Sequence, residues 1–156
     1  MDHESFMRAA IALAEENVAN GAGGPFGAVV VQSGRIVGRG ANSVTRSNDP
    51  TAHAEVVAIR RACATLGAFS LRGCSIYTSC EPCPMCLAAI YWARLDRILY
   101  ANTRDDAAGI GFDDAHIYRE ISRPPAERTV PAERMLAGEA ISAFQAWSAS
   151  EIKVPF

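Results

Sequence analysis

The sequence predicts an α/β protein, a mixed sheet with helices on both faces. Three observations predict it. The apolar run Gly27 to Gln32 is followed by Ser33-Gly34 and a returning run, Arg35 to Ala41, which is the pattern of a β-hairpin. After that hairpin, helical and strand patterns alternate. The first and last helical stretches each carry one apolar face.

The elements follow in order. Residues 4–20 read as a helix with Phe6, Ala10, Leu13 and Ala14 on one face, and Gly21 stops it. Gly21 to Gly27 is a glycine-rich turn holding Pro25 and Phe26. It precedes a strand instead of opening a helix, so it is no phosphate cradle. Asn42 to Pro50 is a polar loop. Thr51 to Leu66 is a helix, with Asp49 or Thr51 to cap it and Gly67 to close it. Cys74 to Thr78 is a short strand, Ser79 to Pro82 a turn, and Pro84 suits the first turn of a helix running to Arg94. Arg97 to Ala101 is another strand, and Asn102 to Asp114 a loop rich in Gly and Asp. Ala115 to Ile121 is a short helix, and the prolines 124, 125 and 131 make the next stretch irregular. Arg134 to Leu136 is expected as a last, weak strand. Ala140 to Glu151 is a terminal helix with Ile141, Phe144 and Trp147 on one face.

At 156 residues, with 49% hydrophobic and 21% charged residues, the chain is expected to be one domain, 1–156, with a full core. A net charge of −2 argues against wrapping a phosphate backbone, and so against a nucleic-acid partner. No apolar run approaches a membrane span. The acidic, amphipathic start is unlike a secretory signal, which leaves the cytoplasm as the expected compartment.

The five cysteines are odd in number, and Cys80, Cys83 and Cys86 are bunched, which suits metal ligation better than disulfides. Cys63 and Cys74 read as small buried hydrophobes, and Cys80 as a buried structural thiol with a possible supporting role beside the metal. His53, Cys83 and Cys86 can supply three ligands to a tetrahedral zinc, leaving the fourth position open as in catalytic sites. His53 and Glu55 are expected in the first turn of one helix, Cys83 and Cys86 in the first turn of another. The positive end of a helix favours thiolate over thiol, and zinc takes only the thiolate.

A lone His is more often a core or surface residue, and a lone C-x-x-C suits a redox pair or half a zinc ribbon. The redox pair leaves His53-Ala54-Glu55 unexplained, and a ribbon needs a second C-x-x-C that the chain lacks. Glu55 stands among Ala52, Ala54, Val56, Ala58 and Ile59, where a carboxylate needs a partner. A metal-activated water is one, with Glu55 as general base and then acid.

The pairing H-x-E…P-C-x-x-C resembles the signature of zinc-dependent base deaminases. With it, the stretches GGPFGAVVV, SNDPTAHAEV, YTSCEPCPMCLAAIYWAR, IGFDDAHIYREI and FQAW resemble the cytidine deaminase superfamily, and more narrowly its small bacterial guanine deaminases, over nearly the whole chain. The zinc motifs are specific only to the superfamily. AIYWAR, GFDD and FQAW favour the guanine deaminases.

That resemblance implies a three-layer αβα sandwich around a mixed five-stranded sheet. It implies a homodimer that exchanges the C-terminal segment, about 138–156, with one zinc per subunit and a small nucleobase as substrate. A helix that packs on its own chain is the alternative for that segment. Carried to matching positions, His53, Cys83 and Cys86 would hold zinc and Glu55 would shuttle protons. Asn42 and the backbone of Ala54 would contact the base, and Phe26 and Trp92 would pack on it. Asp114 would be a second carboxylate near the departing amino group. The guanine deaminase pattern ends in a Tyr that reaches the partner's pocket. Here Phe156 keeps the ring and loses the hydroxyl.

The expected reaction turns guanine and water into xanthine and ammonia. Cytosine or cytidine deamination by the same chemistry, tRNA adenosine deamination, and a zinc-stabilised module without activity are the alternatives. The −2 charge argues against the RNA substrate, and Glu55 with the open metal position against the inactive module.

Overall fold

A computed structural model describes residues 2–156. The chain divides into two compact units, the first ending at Asp114 and the second running from Ala115 to Phe156.

The first unit is built on β1 (Gly27–Gln32), β2 (Arg35–Ala41), β3 (Cys74–Cys80) and β4 (Arg97–Asn102), ordered β2-β1-β3-β4. β1 pairs antiparallel with β2 and β3, and β3 pairs parallel with β4, so the sheet is mixed as expected. The hairpin turns on Ser33 (φ 48°) and Gly34 (φ 78°), the left-handed pair a two-residue hairpin connection requires.

Side chains of β1 alternate between two cores. Ala28 and Val30 join Ile76, Ala54, Ala58, Ala62, Leu71 and Ile90 on one face. Val29 and Val31 join Tyr77, Ala10 and Phe6 on the other. The first face is covered by α3 (Ala54–Leu66) and α4 (Pro84–Trp92), the second by α1 (His3–Ala19). Within this unit the layers are therefore helix, sheet, helix. Gly40 on β2 shows how closely they meet, for a β-carbon there would lie 2.1 Å from Ala54 O and 2.6 Å from Ala58 N. Only glycine lets the start of α3 rest on the strand.

Several expectations need correction. Among the described residues the sheet has four strands, not five. The segment expected as the fifth, Arg134 to Leu136, is not a strand, because Leu136 takes a left-handed conformation (φ 50°) and leads directly into α7 (Ala137–Ala149). The loop from Asn102 to Asp114 contains α5 (Arg104–Gly109), held by a reciprocal cap in which Thr103 Oγ1 accepts from Asp106 N and the Asp106 carboxylate accepts from Thr103 N. The loop after β2 carries a single turn, α2 (Val44–Ser47). α3 begins at Ala54 and not at Thr51, since Asp49 accepts from Thr51 N and Oγ1 and holds the preceding residues in a separate turn.

In the second unit, α6 (Ala115–Ile121) is followed by a 3-10 turn over Pro125–Glu127. The Glu120 carboxylate accepts from Thr129 N (2.6 Å) and Oγ1 (2.7 Å), and Arg128 Nε donates to Glu120 O (3.1 Å). The proline-rich stretch is thus folded back on α6. α7 carries Ile141, Phe144 and Trp147, all exposed in the single chain.

Candidate active site

His53 and Cys83 occupy equivalent places. Each is the cap residue before its helix, in extended backbone (φ −66°, ψ 156° and φ −66°, ψ 168°). Their carbonyls start the helices, accepting from Val57 N (3.0 Å) and Leu87 N (2.8 Å). Neither side chain bonds its own helix. Both stand one step earlier than the first helical turn in which the sequence put them, and their side chains are left to meet each other. Pro84 suits the position after Cys83, where its missing N–H costs nothing.

His53 Nδ1 lies 3.5 Å from Cys83 Sγ and 3.5 Å from Cys86 Sγ. Tetrahedral zinc, with Zn–N and Zn–S bonds of about 2.0 and 2.3 Å, sets nitrogen and sulfur about 3.5 Å apart. The three donor atoms all fall within 4.8 Å of one another, so the residues fit that ion. Without metal, the Cys83 thiol is drawn down to about 4, first by the hydrogen bond from Cys86 and then, against burial, by His53. Cys86 is pushed up by the same bond and by burial. A metal takes both as thiolates, so its binding is coupled to proton release. His53 is raised from 6.5, first by its hydrogen bond to Cys83.

Glu55 is on the first turn of α3 and buried, and Cys86 Sγ lies 3.4 Å from its Oε2. Burial above all pushes its carboxyl up from 4.5. A buried carboxyl thus stands against the group of His53, Cys83 and Cys86. Cys80 takes no part in the cluster. Its Sγ donates to Thr103 O at 3.5 Å, and burial pushes the thiol up to about 11, as for an inert buried thiol. Cys74 is fully buried, as expected, whereas Cys63 is only partly so.

The loops around the group carry other expected residues. Asn42, buried at the end of β2, has its amide oxygen committed to Val44 N at 3.3 Å, so the donors open to a ligand are on Nδ2. Asn42 N donates to Phe26 O at 3.0 Å, which ties the two loops together. The Phe26 ring meets Phe112 edge-on at 4.9 Å, and Phe112 comes from the same stretch as Asp114. Asp114 is raised from 3.8, chiefly by burial and next by the charge of Cys83. Ala54 is buried at the start of α3.

Trp92 stands at the other end of α4 from Cys83, and nine helical residues span about 13 Å. There it lines a shallow concavity with Ala88, Tyr91 and Arg94. Phe156 belongs to the second unit.

One residue of this neighbourhood escaped the sequence reading. Asn17 is buried on α1, and its Nδ2 donates to Gly24 O (2.8 Å) and Asn42 O (2.9 Å). The signal was present, since Ala10, Ala14 and Asn17 share one buried stripe and a polar residue there needs partners.

Residues 1–102 match the family model of the cytidine and deoxycytidylate deaminase zinc-binding region. The chain belongs to that family. It is 58% identical over 147 residues to the guanine deaminase of Bacillus subtilis (strain 168), covering 94% of both chains. The crystal structure of guanine deaminase from Bacillus subtilis superposes with a TM-score of 0.97 at 55% identity, covering 100% of this chain and 99% of that one. A tRNA-specific adenosine deaminase of Agrobacterium fabrum (strain C58) is 49% identical, but over 76 residues, 49% of this chain and 50% of that protein. The likeness to the RNA enzyme is thus half as long as the likeness to the guanine enzyme.

Proposed function

We propose that this protein is a zinc-dependent guanine deaminase, converting guanine and water to xanthine and ammonia. One observation carries the choice of guanine. The family model stops at residue 102, whereas the likeness to a guanine deaminase continues over 94% of the chain, into the second unit.

In this reading His53, Cys83 and Cys86 would hold one zinc per subunit. Zinc bound there supplies Lewis-acid activation of water, bringing its pKa toward neutrality. Glu55 takes the proton released as the water oxygen bonds to C2 of guanine, and delivers it to ring N3. Asp114 assists transfer of the second water proton, from the new C2–OH, to the amino group; C2=O forms as the C2–N bond breaks, and nitrogen leaves as ammonia. The raised pKa of Glu55 suits a group that must accept a proton and give it back. Asn42 Nδ2 and the backbone of Ala54 would orient the base, and Phe26, braced by Phe112, would pack against it. Trp92 and Phe156 would complete the aromatic enclosure in the assembled protein.

The working form is a homodimer in the cytoplasm, in which the 156 residues act as one deaminase domain and residues 138–156 exchange between subunits. Exposure of Ile141, Phe144 and Trp147 on α7, and of Tyr91 on α4, supports this, because such side chains are normally covered. Among the described residues no helix is long and apolar enough to cross a membrane.

Zinc-loaded protein offered a panel of free bases and nucleosides should release ammonia from guanine first. No ammonia from guanine would refute the reading, and release from cytosine or cytidine instead would reassign the substrate.

A further inference from the structure

Two polypeptide stretches come together where β1 begins and β2 ends, and one buried amide joins them. The first is the Gly21–Phe26 turn that enters β1, and the second is the exit of β2 at Asn42. Asn17, in the last turns of α1, is buried and touches both. Its Nδ2 donates to Gly24 O at 2.8 Å and to Asn42 O at 2.9 Å. Its own carbonyl accepts from Ala22 N at 2.9 Å. Gly24 O also accepts from Phe26 N at 2.8 Å, and Phe26 O accepts from Asn42 N at 3.0 Å. Asn17, Gly24, Phe26 and Asn42 form one closed ring of bonds, with Ala22 attached at Asn17. Gly23 is packed into it so tightly that a β-carbon would lie 2.4 Å from Asn42 O and 2.9 Å from Asn17 Nδ2.

A primary amide nitrogen offers two N–H donors on one atom, and here both meet carbonyl oxygens. Aspartate is nearly the same size but offers acceptors where donors are needed. Glutamine carries the amide too far for the tight Gly23 contact. The site therefore calls for asparagine on chemical grounds.

We propose that Asn17 is a positioning residue for substrate, fixing Phe26 and Asn42 relative to each other so that ring and amide meet the base in one geometry. It acts through those two residues and does not touch the substrate. This rests on the assignment of guanine as substrate and of Phe26 and Asn42 as its contacts.

The role differs from that of a helix anchor, and α1 supplies the comparison. At its other end, His3 Nδ1 bonds Tyr77 Oη at 2.6 Å, which fastens the helix to the sheet without touching either loop. Asn17→Ala, Asn17→Asp and His3→Phe should be prepared as zinc-loaded full-length proteins. Hydrogen exchange should be measured at the Phe26 and Asn42 amides, and KM and kcat with guanine.

Both Asn17 variants should raise KM about tenfold, the effect of losing a net hydrogen bond or two, while kcat changes by less than about threefold. Exchange at Phe26 and Asn42 should rise by a similar factor, with β1 amides beyond Val29 unchanged. His3→Phe should lower Tm and leave KM and both loop amides as in the wild type. If the Asn17 variants only lower Tm, or if His3→Phe shifts KM and the loop amides equally, the positioning role is wrong. Should the wild type itself fail on guanine, the substrate assignment falls separately. Exchange then decides the role of Asn17, and unchanged loop amides overturn it.

Discussion

Cys86 Sγ lies 3.4 Å from Glu55 Oε2, with both side chains buried. A metal ligand and the proposed proton carrier are thus in contact before any substrate arrives. Their roles remain separable by mutation, because Glu55 is not in the His53, Cys83, Cys86 group. Glu55→Gln keeps the shape and cannot carry the proton. It should retain zinc and lose about 100-fold to 10,000-fold in kcat. Metal analysis alongside turnover checks this, and near-normal kcat in the zinc-loaded variant would remove Glu55 from the mechanism.

The metal itself should be a stability element. Cys83→Ser and His53→Ala each delete one of three donors and should weaken zinc by at least about 100-fold. For the intact protein, chelation removes a ligand that favours the folded state. At a thousandfold excess over Kd that linkage is about 4 kcal/mol, or roughly 10 °C in Tm at this chain length. Calorimetry with and without chelator measures it. A Tm indifferent to chelator would argue that the three residues hold no metal.

Gly40→Ala tests the close approach of β2 and α3. The added carbon would fall 2.1 Å from Ala54 O, so strand or helix must move. Overpacking of this kind costs about 1–3 kcal/mol. Because His53 directly precedes Ala54, the shift should also loosen zinc. Denaturant unfolding and zinc titration report the two effects, and a variant that binds zinc normally would show that the helix start tolerates displacement.

Acid should act in part through Asp49. Hydrogen bonds from Thr51 Oγ1 and N hold its carboxyl below the ordinary 3.8. Between the folded and unfolded values the unfolded chain binds more protons, so stability rises with pH there. The contribution is complete above the unfolded value and disappears as pH falls through the lower, folded one. Asp49→Ala should therefore destabilise more at pH 6 than at pH 3. Urea unfolding at both pH values measures the difference, and an equal loss at the two would show that the Asp49 charge is not involved.

Much of this architecture was written in spacing and composition. The hairpin was legible because Ser33-Gly34 is a turn signal between two apolar runs. The end of α3 was legible because Gly67 adopts φ 62°, which few other residues tolerate. The gathering of His53, Cys83 and Cys86 was legible because ligand chemistry restricts residue type and spacing more sharply than folding does.

The rest depended on tertiary context or on signals passed over. α5 had its reciprocal cap in Thr103 and Asp106, hidden inside a loop judged by its Gly and Asp content. Arg134 to Leu136 looked like a strand, but the conformation of Leu136 is set by the helix that follows. The start of α3 lies three residues later than expected and Cys83 one step before α4, because His53 and Cys83 are poor matches to the usual cap residues. The spacing of Asn17 on the Ala10, Ala14 stripe marks it as a buried polar residue, but its partners, Gly24 O and Asn42 O, are backbone atoms that the sequence does not identify.

The position of His53 and Cys83 sets local stability against activity. A serine or aspartate before either helix would bond the helix's own N–H groups, at a gain of typically about 1 kcal/mol. The chain forgoes that gain at two helices, since neither side chain caps. Selection for a sturdier metal-free protein would favour Ser or Asp at 53 and 83. Stabilising this fold by consensus capping rules would therefore raise the melting point of the metal-free protein and abolish, in the same step, the metal centre that stabilises the loaded one by more.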